Sequence, residues 1–332
     1  MAEAPAPVLW MNYHHNLEVP VTRTCAMLLL AVALSTVVTA ETLGPVLRSR
    51  HVPTSQFSDA DLAAKITSWA ASSDDEPFLL AYYTDDGSGY LRAPLHVIRY
   101  DLANRTLRRT DLLANRTPPM DCVGSALGIG EHRGIIHIET HVTPSAVCLL
   151  LLSPHLALRT TLYGGLLGML GERCAIVQRN EIHFAAVHPM RIAVYDLRLD
   201  RLTEVYPPVQ DAYRRQFSRA LQSHMPSDDW CRIANAQCDP RNFDAELVDT
   251  VAVNEAAKVF GFVARCDAGG FGDEGATPVK PLEVAYVYRL RAGRWEHREF
   301  LPERLMDLFG VETVGELVSR KPQAAFETPP AP

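Results

Sequence analysis

Four stretches of this chain repeat one form: an apolar strand, a short polar turn, then a second strand rich in Arg, Thr or Glu. They read HVIRYDLANRTLRRTDL (96–112), VCLLLLSPHLALRTTL (147–162), IAVYDLRLDRLTEVYP (192–207) and VAYVYRLRAGRWEHREF (284–300). Two such runs joined by a turn of about four residues predict an antiparallel hairpin, because the chain must reverse within the reach of a tight turn. Each hairpin has an apolar strand upstream, at 78–83, 134–141, 181–188 and 258–266. In the last three units a further strand precedes it, near 125–130, 174–179 and 248–254. The unit is thus four strands, and the chain is expected to be mostly β. In the first unit the innermost strand is expected from 43–52 or from the C-terminal segment.

Four strands recurring about every 45 to 50 residues is the period of a β-propeller blade. The chain resembles the general β-propeller repeat on that period and on the paired turns Tyr100-Asp101-Leu102 and Tyr195-Asp196-Leu197, over roughly 78–207 and 248–300. The Gly-His and Trp-Asp landmarks of WD40 repeats are absent. Asp86-Gly87 is a single example of the Asp-Gly turn that TolB-like repeats use regularly. The resemblance implies a propeller-like arrangement of about four four-stranded blades. The same hairpins also fit a β-sandwich, which is the alternative, since alternation by itself does not choose between the two.

Helices are expected around and between the blades. Ser58 can cap a helix over 59–71, with Leu62, Ile66 and Trp69 on one face. Residues 209–224 carry Tyr213, Phe217 and Leu221 as an apolar stripe ended by Pro226. A third helix is expected over 302–318, followed by a proline-rich, disordered tail from 321. The organisation expected is a signal peptide (1–40), an N-terminal helical segment (41–75), blades one to three (76–207), a helical insertion (208–247), blade four (248–300), and a C-terminal helix with its tail (301–332).

Residues 27–40, MLLLAVALSTVVTA, follow Arg23 and end in small residues, the pattern of a secretory leader cleaved after Ala40. The expected location is secreted or periplasmic, with no transmembrane span in the mature chain. Export makes the cysteines candidates for disulfides. Cys231 and Cys238 are the pair close in sequence, and a turn between them would permit a bridge. Cys122, Cys148, Cys174 and Cys266 lie in apolar, strand-like runs and fit buried free thiols equally well. The net charge of −7 implies no basic face, and nucleic acid is not an expected partner.

No complete catalytic or cofactor signature is present. His137, Glu139 and His141 alternate along one strand face, and two histidines with a carboxylate are ligands for zinc or a similar divalent metal. On a strand the outer two are about 13 Å apart, so a neighbour is needed, and His183 stands in the equivalent place one unit later. The plainer reading is of hydrogen-bonded strand histidines, and no cofactor is expected. Asp121, Glu139, Glu172 and Glu181 include possible acid pairs for glycoside chemistry, without a spacing that singles out two. In the insertion, Arg214, Arg215, Trp230 and Phe243 are candidate partner contacts, against a packing role for the aromatics. The expected function is a non-enzymatic binding or scaffolding module with a protein or glycan partner. The alternative is an extracellular glycan-active hydrolase or lyase, metal-assisted.

Overall fold

The structure, a computed structural model, describes residues 42–64, 66, 70–71, 77–83, 95–112, 125–143, 146–179, 190–208, 212–213, 215–217, 219, 244–248, 250–267 and 280–327. The leader-like segment 27–40 lies outside these residues. Helices α1 (Leu43–Ser49) and α2 (Asp59–Ala63) come first. Sheet 1 is β1 (Ala70–Ala71), β2 (Phe78–Tyr83), β3 (Leu95–Asp101) and β4 (Thr106–Asp111). Sheet 2 is β5 (Ser125–His132), β6 (Ile135–Thr143), β7 (Ala146–Leu152) and β8 (Leu158–Tyr163). Sheet 3 is β9 (Gly165–Leu170), β10 (Cys174–Arg179), β11 (Arg191–Asp196) and β12 (Arg201–Tyr206). Sheet 4 is β13 (Asp244–Leu247) and β14 (Ala252–Asn254), both on β15 (Val259–Asp267), then β16 (Leu282–Arg291) and β17 (Arg294–Phe300). Helices α3 (Leu305–Phe309), α4 (Val314–Arg320) and α5 (Ala324–Glu327) follow. Sheets 1 to 3 are antiparallel meanders, sheet 4 is antiparallel with β13 and β14 sharing one edge of β15, and the fold is mostly β and propeller-like.

The sheets are stacked face to face, and residue alternation shows it directly. On β2, Phe78, Leu80 and Tyr82 pack with Leu43 and Leu47 of α1, while Leu79 and Ala81 turn to sheet 2. Leu150 and Leu152 of β7 meet sheet 1, and Leu149 and Leu151 meet sheet 3. Cys174 and Ile176 face sheet 4, and Ala175 and Val177 face sheet 2. The last interface puts Ala285 and Val287 of β16 against Leu305, Phe309, Leu317 and Val318. Strands apolar on both sides, such as Val147–Leu152 in the sequence, are what a sheet between two others requires. The α4 cover seats closely because β15 has Gly261 there: a Cβ would stand 2.7 Å from Val314 Cγ1 and 2.9 Å from the Tyr286 carbonyl oxygen.

The repeated Tyr-Asp-Leu turns have a common mechanism. Tyr100 and Tyr195 are buried, and the following Asp closes the turn. Asp101 Oδ1 accepts from the Asn104 N–H at 3.0 Å, and Asp196 Oδ1 from the Arg198 and Leu199 N–H groups at 3.0 and 3.1 Å. Sheet 4 instead turns on Ala292-Gly293, both with positive φ, a two-residue reversal rather than one of four.

Several expectations are corrected. Residues 43–49 are a helix, and the innermost strand of sheet 1 is the two-residue β1. The capped helix at 59 stops at Ala63; Ser58 caps it as expected, and the structure adds a reciprocal bond from Asp61 that completes a capping box. The helix after 302 is broken by Gly310 in the left-handed region. The tail from 321 is ordered through 327: Ala325 is fully buried and Arg289 stacks over Phe326 at 4.1 Å. In the third unit the strands are 165–170 and 174–179, one strand earlier than expected. Glycines 164, 165 and 168 hid β9, yet they suit it. A Cβ on Gly164 would stand 2.0 Å from the Gln178 carbonyl oxygen, and one on Gly168 would stand 3.1 Å from Val253 of β14.

The N-terminal cover is held by a partly buried ion pair. Arg109 donates to both oxygens of Asp61 at 3.0 and 2.7 Å, and the Tyr82 hydroxyl donates to Oδ1 at 3.1 Å. Burial opposes ionisation of Asp61, but hydrogen bonds from Ser58 and Arg109 outweigh it and hold the carboxyl below the usual range. A depressed carboxyl stabilises the fold above its unfolded pKa and loses that contribution as pH falls through the folded value. Asp61→Asn is therefore expected to cost about 1–2 kcal/mol at neutral pH, because Arg109 is partly solvated, with the difference from wild type shrinking below about pH 4. Urea unfolding at pH 7 and pH 3 checks both parts.

Candidate functional site

The strand carrying the predicted metal ligands has two distinct faces. Ile136 and Ile138 of β6 enter the core toward sheet 1, so His137 and Glu139 face sheet 3. There Glu139 Oε1 accepts the Leu166 N–H at 2.5 Å, tying sheet 2 to β9. The His137 ring lies over its cross-strand partner Gly130, where a Cβ would stand 2.5 Å from Nε2. Burial, with a smaller contribution from His132, pushes the His137 imidazole down to about 4, and its Nδ1 has no hydrogen-bond partner among the described residues. The side chain of His141 and all of His183 lie outside the described residues. The equivalence of His137 and His183 rested on 181–188 being the second strand of its unit; that strand is β10 instead. Among the described residues no group of three or more His, Cys, Asp or Glu is arranged to hold a metal.

Of the predicted partner contacts, Arg215 is exposed on a helical stretch, while Arg214, Trp230 and Phe243 lie outside the described residues. Cys231 and Cys238 also lie outside them. Cys174 and Cys266 are buried and outside any disulfide, and Cys148 is disulfide-bonded.

The structure assembles a site the sequence reading passed over. In a four-strand meander the first and third turns fall at the same end of the sheet. At that end a cleft of about 690 Å³ opens across sheets 2, 3 and 4. Its cations are Arg133 in the β5–β6 turn, Arg159 at the start of β8, Arg173 between β9 and β10, Arg198 between β11 and β12, and Lys258 before β15. Its carboxylates are Glu172 and Glu255. Arg133 and Lys258 sit at positive φ, which lets the chain reverse at those points.

Charge pairing divides the cations into two sets. Arg173 is bound to Asp196 at 2.6 Å. Arg133 and His132 flank Glu255 at 2.7 and 2.9 Å, so a turn of sheet 2 reaches a turn of sheet 4 across the edge of sheet 3. Arg159, Arg198 and Lys258 have no ion-pair partner among the described residues, and neither has Glu172, so three cations face one carboxylate. The Cys174 thiol in the wall is pushed up to about 11, first by burial and then by the Asp196 charge, so it remains protonated at neutral pH. Geometry of this kind binds and orients an anion. The signal in the sequence was one basic residue per turn at that end, readable only with the strands of unit three correctly placed.

No protein-family model matches the chain, and no curated protein does. Among solved structures it is similar to a prolyl endopeptidase at 14% identity, covering 60% of this chain and 24% of that one, with a TM-score of 0.27. It is also similar to the tricorn protease at 8% identity, covering 71% of this chain and 19% of that one, with a TM-score of 0.34. A member of the DUF4221 family from Bacteroides vulgatus matches at 10% identity over 70% of this chain and 80% of that one, with a TM-score of 0.23. The chain thus spans about a quarter and a fifth of the two proteases. At these scores the fold assignment rests on the sheets themselves.

His137 makes the interface beside the cleft acid-sensitive. A histidine buried neutral stabilises the fold above its unfolded pKa near 6.5 and loses that contribution as pH falls toward the folded value of about 4. The loss is expected to reach about 3 kcal/mol, and His137→Asn should flatten it. Thermal unfolding between pH 7.5 and pH 4.5 measures the slope in both proteins.

Proposed function

We propose that the protein is an exported, non-enzymatic binding module whose ligand face is this basic cleft, and that the ligand is anionic. The observation that carries the reading is the convergence of Arg159, Arg198 and Lys258, unpaired and from three different sheets, in a chain of net charge −7. Uncompensated cations brought together repel one another, and a bound anion offsets that repulsion. Guanidinium groups also suit carboxylate, sulfate or phosphate through paired N–H donors. Export is supported by the leader-like segment 27–40 and by the disulfide at Cys148, a bond that persists in oxidising compartments.

The test is thermal unfolding across citrate, tripolyphosphate, neutral oligosaccharides, divalent metals and a chelator. A saturable rise with the polyanions is expected, worth roughly 2.7 kcal/mol at a hundredfold excess over the dissociation constant. Arg159→Ala with Arg198→Ala should abolish the rise and, by relieving the repulsion, leave unfolding in buffer no less stable than wild type. A response to neutral sugars or metals, with none to polyanions, would refute the reading.

A further inference from the structure

The basic cleft does not end at its own walls. A narrow throat of about 50 Å³ shares Arg173, Cys174 and Leu290 with it. The throat in turn shares Arg201, Thr203, Gly293 and Trp295 with an outer groove of about 790 Å³. The three cavities form one track along the junction of sheets 3 and 4.

The groove is built on two strand edges. β12 is the last strand of sheet 3 and β17 the last of sheet 4, each paired on one side among the described residues. From β12, the consecutive residues Thr203, Glu204 and Val205 all line the groove. The register slips here, Ala193 pairing with Glu204 and Ile192 with Tyr206, so the run marks a bulge at Val205 in a strand whose outer edge has no strand partner among the described residues. The Tyr288 hydroxyl donates to the Val205 carbonyl oxygen at 3.0 Å and fixes the two sheets across the floor.

Charge along the groove has one sign left over. Arg201 and Arg294 have no ion-pair partner among the described residues. The carboxylate there, Glu204, is shared by Arg179 and Arg191 of its own sheet, each at 3.4 Å. In the throat, Asp196 is held by Arg173.

We infer that this groove docks an extended, acidic peptide segment, which adds to an exposed strand edge and directs its carboxylates to Arg201, Arg294 and the basic cleft. Main-chain pairing supplies affinity in this mode, and the side chains set specificity. The backbone edge favours a peptide over a polysaccharide, which has no N–H and C=O ladder to offer. The inference rests on the cleft reading only at the inner end of the track.

The test uses a fluorescein-labelled peptide of roughly ten residues alternating Glu with Thr, long enough to form one strand. Anisotropy should show saturable binding, with a change in Trp295 emission that is lost in Trp295→Phe. The same peptide with Lys for Glu should bind at least tenfold more weakly. So should the acidic peptide against Arg201→Glu with Arg294→Glu, and so should a version N-methylated at alternate residues. Tripolyphosphate stabilisation should persist in that double variant, which shows it folded and tests the cleft separately. Unchanged peptide binding in the double variant would overturn the inference. So would indifference to N-methylation, or displacement by oligogalacturonate at equal charge. A peptide that binds while tripolyphosphate has no effect would instead remove the cleft reading and leave the groove standing.

Discussion

Burial of both faces of each sheet is the constraint from which the rest of this structure follows. A sheet with one wet face can end a stack, but one apolar on both sides needs a neighbour on each. Sheets 2 and 3 obtain neighbours from other sheets. Sheets 1 and 4 obtain their outer cover from helices, α1 at one end and α3 and α4 at the other. Burying a large apolar side chain stabilises by roughly 1.5–3 kcal/mol, so an uncovered face bearing Phe78, Leu80 and Tyr82 would forfeit much of the fold's margin. The short terminal helices are thus structural closures. Their seats are specific: Asp61 with Arg109 at the first, Gly261 beneath Val314 at the second.

Stacking four sheets whose first strands crowd together has a second consequence. Gly165 and Gly168 on β9 are small where strands of adjacent sheets approach: a Cβ on Gly165 would stand 3.6 Å from Glu139 Oε1 of sheet 2, and one on Gly168 3.1 Å from Val253 of sheet 4. Close approach at these strands brings the turns beside them near one another, and Glu255 of sheet 4 reaches Arg133 of sheet 2. Basic residues that are well separated in the chain therefore share one cleft. The polar outer strands β4, β8, β12 and β17 keep the opposite edges hydrated, which fits strands with a free side.

Much of the β architecture was legible in the residues. The hairpin of 192–207 showed itself because apolar alternation, Asp at the turn and an Arg/Thr/Glu return strand all agree. Ser58 announced a helix start. Where the reading slipped, a competing effect had won. Glycines 164, 165 and 168 lower strand propensity, yet crowding between sheets selects them, so β9 was passed over and the unit shifted by one strand. Apolar residues 43–52 were compatible with a strand, but covering sheet 1 required a helix there. Phe326 lies in a tail of disorder-prone composition and is ordered by Arg289 and the apolar seat around Ala325. The candidate site suffered most from the slip. Glu139 reads as a metal ligand in one dimension and as an acceptor for the Leu166 N–H in three.

The sequence by itself determined the local matters: which segments pair as hairpins, where Asp closes a turn, and that the strands are apolar enough to be buried. These depend on neighbours a few residues apart, through alternation, turn chemistry and capping. The stacking of the sheets, the helical closure of both ends, and the meeting of Arg159, Arg198 and Lys258 in one cleft were decided by tertiary structure alone. Those arrangements depend on which faces cover which, and on how closely glycine-bearing strands let sheets approach, and neither distance is written in the spacing of residues along the chain.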